Sequence, residues 1–116
     1  MDQDYDRLKA EVLLLAAEDM TGLWEAWQQA NGLFPSWPLS GRLSLAERVI
    51  ADLLGAGLIR LYRGSWTGND QAEVPAGEVA AVLREWSSWV ATHNEQLVFF
   101  LATAAGSRRA GLPQER

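Results

Sequence analysis

The chain has 116 residues, ten Lys and Arg against fifteen Asp and Glu, a net charge of −5, and no cysteine. That length fits one domain, and 48% apolar residues with six tryptophans suffice for a core. Disulfides, thiolate metal sites and cysteine nucleophiles are excluded together, and the longest apolar run falls far short of the roughly 20 residues that span a bilayer.

The acidic opening Met1-Asp2-Gln3-Asp4-Tyr5-Asp6 is unlike a basic leader, so a cytoplasmic protein is expected. A first helix is predicted from about Asp4 to Asp19, with Tyr5, Leu8, Val12 and Leu15 on one face and Leu13, Leu14 and Ala17 widening it. So broad a stripe implies burial on two sides, within the core or across a dimer interface. Thr21 is expected to cap a second helix whose apolar side is Leu23, Trp24, Trp27 and Ala30, and Asn31-Gly32 to end it. The stretch from Leu33 to Ser40, with Pro35 and Pro38 among large apolar residues, reads as a packed connection.

Ser44 and Glu47 have capping-box spacing and predict the start of a third helix. Ala46, Val49, Ile50, Leu53 and Leu54 form its apolar face, opposite Glu47, Arg48, Ala51, Asp52 and Gly55. Gly57 is expected to stop it at positive φ, with Leu58 folding back. Ile59 and Leu61 then alternate with Arg60 and Tyr62 as a half-buried strand. Gly68 to Glu73 is turn-rich, and Val79, Val82, Leu83, Trp86, Trp89 and Val90 trace a helical stripe beginning near Pro75. Trp86 is expected in the core and Trp89, nearer Thr92-His93-Asn94, as an exposed anchor.

Leu53-Leu54-Gly55-Ala56-Gly57-Leu58-Ile59 resembles the helix-to-wing junction of PadR- and MarR-type winged-helix regulators, and Leu97 to Gly106 is similar to their returning wing strand and following helix start, which implies Thr103 as the cap of that helix. The layout is also similar to a group of small actinobacterial proteins. The resemblance implies a mainly α fold with a small antiparallel β wing (α+β): a winged helix-turn-helix over residues 1–116, with a helical insertion at about 65–95 between the wing strands. It also implies a homodimer.

Charge is unevenly placed: residues 1–31 carry −5, residues 32–64 carry +2 and the remainder −2. Arg42, Ser44, Arg48, Arg60 and Arg63 occupy positions from which winged helices reach bases and phosphates of double-stranded DNA. Glu47 and Asp52 share that face and oppose phosphate. The pairs Trp24/Trp27 and Trp86/Trp89 are candidates for holding a planar ligand or a partner. His93 is the single histidine and assembles no metal set. Glu18 and Asp19, adjacent on a helix, point apart and make no acid/base pair. No metal, cofactor or enzymatic activity is expected. The leading expectation is a dimeric DNA-binding transcription regulator. The alternative is a protein-interaction module, such as an antitoxin, immunity protein or adaptor, whose acidic surface and exposed tryptophans meet a basic partner. A contiguous positive patch on the third helix and wing would favour DNA, and an acidic surface with exposed tryptophan would favour protein.

Overall fold

A computed structural model describes residues 2–65, 70–91 and 96–111. Among the described residues the elements run α1 (Asp2–Glu18), β1 (Thr21–Gly22), α2 (Leu23–Leu33), α3 (Leu39–Gly55), β2 (Ile59–Gly64), β3 (Ala72–Glu73), α4 (Val79–Arg84), β4 (Leu97–Ala102) and α5 (Ala104–Ala110), with 3-10 turns at Ala76–Glu78 and Trp86–Trp89. This is an α+β architecture of five helices and one four-stranded antiparallel sheet in the order β1-β4-β2-β3.

The returning strand is an inner strand. β4 pairs with β2 from Ile59↔Ala102 to Gly64↔Leu97, and on its other side with Thr21 and Gly22 through Phe100 and Phe99. Leu97, Val98, Phe99 and Phe100 are all buried, as a continuous apolar run in a covered strand requires. Residues of α1, α2, α3, β2 and β4 join one core with Val74, Val82, Leu83 and Trp89 of the insertion.

α1 buries Leu8, Val12, Leu13 and Ala16, whereas Leu14, Leu15 and Ala17 are half-buried. It packs against α2, α3, α5 and β4. The breadth of its apolar stripe is thus used within the chain, and a second copy is not needed to explain it.

Thr21 does not cap α2. Its hydroxyl donates back to the carbonyls of Leu15 (3.1 Å) and Asp19 (2.9 Å), closing the end of α1. Gly22 stands at the N-cap of α2, its amide donating to the Glu25 carboxylate at 3.0 Å. That helix runs through Asn31-Gly32 to Leu33, because the Phe34 amide still reaches the Ala30 carbonyl at 2.9 Å and Phe34 is seated by stacking on Trp37, with ring centroids 4.9 Å apart.

α3 begins at Leu39, a turn earlier than the Ser44–Glu47 spacing predicts. Pro38, at φ −59°, takes the N-cap, and its carbonyl accepts from the Arg42 amide at 3.1 Å. Ser44 is therefore interior to the helix, where no unpaired amide remains for its hydroxyl to cap. The end is as expected. Gly57 has φ +74°. Its amide donates to Leu54 and that of Leu58 to Leu53, both at 3.0 Å, which is the paired closure of a Schellman motif. Ala46, Val49, Ile50 and Leu53 are buried, as are Leu58 and Ile59, while Leu54 is half-buried.

Thr103 holds the far end of the sheet to this turn. Its amide donates to Leu58 (3.0 Å) and its hydroxyl to Gly57 (2.8 Å), while the same oxygen caps α5 by accepting from Gly106 (3.1 Å). Gly106 is buried so closely that a Cβ there would fall on the Leu58 carbonyl oxygen.

The insertion departs from a single helical stripe. It adds β3 to the edge of β2, with Val74 donating to Leu61 at 2.9 Å, then forms the turn after Pro75 and the six-residue α4. Glu85 (φ −84°, ψ +114°) breaks the helix, so Trp86 and Trp89 belong to a separate 3-10 turn with its own phase. Trp89 is 1% exposed, its indole nitrogen donating to the Leu83 carbonyl at 2.9 Å, and Trp86 is 64% exposed. The expected roles of the two tryptophans are reversed.

Candidate binding surfaces

The five residues proposed to meet DNA are positioned by α3 and β2, and the four arginines among them contact groups of the same chain. Arg42 sits in the first turn of α3, inside the helix, and is half-buried. Its guanidinium donates to the carbonyls of Pro35 (2.9 Å) and Phe34 (3.4 Å), bracing the connection between α2 and α3. Ser44 is exposed on α3. Arg48, one turn further on, lays its guanidinium 4.4 Å from the Tyr5 ring centroid. The Tyr5 hydroxyl donates to the Asp52 carboxylate. Burial, followed by the bond to Asp52 and its charge, pushes the Tyr5 hydroxyl up to about 12. Arg48, Tyr5 and Asp52 thus form one link between the start of α1 and the outer face of α3.

The strand arginines face the insertion's acids. Arg60 is 3.0 Å from the Glu73 carboxylate, and Arg63 is 3.7 Å from that of Glu78. Both pairs are exposed and contribute only about 0–1 kcal/mol each, but they cancel charge on the surface that had carried the excess of cations. Sequence reading missed Glu73 because Gly68 to Glu73 reads as a polar, turn-rich stretch. Its signal was the antiparallel register, which sets Glu73 opposite Tyr62 and places its carboxylate within reach of Arg60. Asp70 is held in the same region: the Ser65 amide (3.0 Å) and hydroxyl (2.9 Å) keep its carboxyl below the usual carboxylate range.

The four tryptophans do not form one aromatic box. Trp24 meets the Phe99 ring edge-on at 5.6 Å. Trp27 is half-buried against the core, its indole nitrogen buried with no hydrogen-bond partner among the described residues. Trp89 is interior, and Trp86 projects beside Glu85, whose carboxylate accepts from Ser87 at 3.3 Å. His93 lies outside the described residues.

A groove of about 530 Å³, unforeseen in the sequence, runs between the C-terminal half of α3, β2 and the insertion. Leu54, Leu61, Val74, Val79 and Leu83 line it, with the Arg60–Glu73 pair at its rim. Among the described residues no three His, Asp or Glu side chains gather as metal ligands, and no helix is long and apolar enough to cross a membrane. No family model matches the chain, and no curated protein or solved structure does.

Proposed function

We propose that the chain is a winged-helix domain that serves as a protein-interaction module, presenting Trp86 and the adjacent Glu85 carboxylate, both exposed, to a partner rich in basic residues. Two features support the fold reading. The order helix, strand, two helices, strand and returning strand has the winged-helix sequence of elements. The returning strand β4 also lies between β1 and β2, leaving β3, the two 3-10 turns and α4 as an enlarged wing.

The observation that carries the interaction reading is the pairing of Arg60 with Glu73 and Arg63 with Glu78. Phosphate contacts by Lys and Arg supply most non-specific nucleic-acid affinity. Arg60 and Arg63 are paired with Glu73 and Glu78, Arg48 lies over the Tyr5 ring whose hydroxyl bonds Asp52, and Arg42 is turned inward to backbone carbonyls. The exposed Trp86 is instead the kind of side chain around which protein interfaces are anchored. A second reading, a DNA-binding regulator, is favoured by the outward placement of Ser44 and Arg48 on α3.

One experiment separates them. Fluorescence anisotropy on random duplex DNA at low ionic strength is expected to show no saturable binding. A basic polypeptide partner is expected to be retained by the wild-type chain and released by Trp86→Ala or Glu85→Lys. Saturable, salt-dependent DNA binding that is weakened by Arg48→Ala and Arg63→Ala would turn the assignment to the DNA reading.

A further inference from the structure

The groove between α3 and the insertion lies apart from the Trp86 surface and is independent of that proposal. Its volume, about 530 Å³, falls within the range of roughly 300–1,000 Å³ typical of small-molecule sites, which are mostly apolar with a few polar groups at the margin. Its walls have two origins. Leu54 and Leu61 come from the helix and strand of the core, and Val74, Val79 and Leu83 from the insertion. Leu54 is left half-buried although it continues the otherwise buried stripe of α3. The small side chains of Ala51 and Ala80, both exposed, keep the space open on facing sides.

We propose that this groove binds a small uncharged apolar molecule. The charge class follows from the rim. The two ionised side chains lining the groove, Arg60 and Glu73, satisfy each other at 3.0 Å. An anionic or cationic ligand would find the charge opposite to its own already engaged, and its own charge would be desolvated against apolar walls. An uncharged molecule avoids that cost and gains from covering Leu54, Val79 and the exposed Ala51 and Ala80. Because the walls belong partly to the core and partly to the insertion, such a ligand also braces one against the other.

The test uses the full chain and two probes of similar aromatic body. N-phenyl-1-naphthylamine is uncharged, and 1-anilinonaphthalene-8-sulfonate is its anionic counterpart. Ala80→Phe fills the groove from an exposed position. Ala81→Phe places the same bulk on the next residue of α4, which is exposed and outside the groove. The expected result is saturable one-to-one fluorescence enhancement by the uncharged probe with wild type and Ala81→Phe. Binding should weaken by about tenfold or more, which is about 1.4 kcal/mol, for Ala80→Phe and for the sulfonate. Absence of saturable binding, equal binding by Ala80→Phe, or equal affinity for the sulfonate would each overturn the proposal. So would light scattering in which Ala80→Phe converts a wild-type dimer to monomer, because the groove would then be filled by a second copy.

Discussion

Tyr5 couples the first turns of the chain to a residue 47 positions away, and it does so through a proton. Its hydroxyl donates to Asp52, and its pKa rises from 10.0 to about 12, with burial the largest cause. A group whose folded pKa is raised contributes stability that is complete below the unfolded value and lost as pH rises through the folded one. Resistance to urea is therefore expected to show a fall between about pH 10 and 12 that Tyr5→Phe lacks, and at neutral pH that variant should lose about 1 kcal/mol. Identical alkaline profiles for the two proteins would refute the link. Leu53→Ala, which truncates a fully buried side chain of α3, is expected to cost about 2–5 kcal/mol in thermal unfolding. Gly57→Ala should also lower the melting temperature, since φ +74° is strained for any side chain. Leu53 and Gly57 were legible in the sequence because helical period and helix termination are local. The partnership of Tyr5 with Asp52 was not, because nothing within a few residues of either marks the other.

Single positions gain their meaning from the elements that hold them. Thr103 joins three elements at once, bonding the Gly57 carbonyl, the Leu58 carbonyl and the first free amides of α5. Thr103→Ala is expected to lose roughly 0.5–2 kcal/mol as a lost cap, with Thr103→Ser recovering most of it in the same melting experiment. The cap and the strand before it were readable through the resemblance of Leu97 to Gly106 to a returning wing strand and the start of a helix. The insertion was read less well, for a definite reason. Helical spacing from Val79 to Val90 assumes one uninterrupted phase, whereas extended backbone at Glu85 resets it. The choice between the tryptophans is then decided by hydrogen bonding: the Trp89 indole finds the Leu83 carbonyl and goes inside. Trp89→Ala should accordingly destabilise by about 3–5 kcal/mol, and Trp86→Ala by no more than about 0.5 kcal/mol. Equal losses would contradict this arrangement. The early start of α3 was missed because Pro38 supplies an N-cap without the side-chain oxygen that the Ser44–Glu47 pattern advertises.

At the scale of the whole molecule, the insertion changes the electrostatic character of the face it joins. Residues 32–64 carry a surplus of cations in the sequence, yet Glu73 and Glu78 are brought back onto Arg60 and Arg63 by the fold. Linear charge segregation therefore overstated the field. Removing that compensation with Glu73→Gln and Glu78→Gln together is expected to raise affinity for duplex DNA above wild type at low salt and to steepen its salt dependence. A double variant as indifferent to DNA as the wild type would show that the two arginines are not positioned to reach a phosphate backbone.

The place of β4 in the sheet governs when the chain can fold. Both β1 and β2 hydrogen-bond to residues 97–102, with Thr21 meeting Phe100, 79 positions further along the chain. Until that segment leaves the ribosome, only the local β2–β3 pairing is available to the sheet, and Leu8, Leu23 and Ile59 have no completed core to enter. Helices can form early during synthesis, but closure of the sheet is a late, long-range event of the kind that slows folding. Until β4 has been synthesised, the helices and strands that precede it therefore hold apolar surface that only the closed sheet covers.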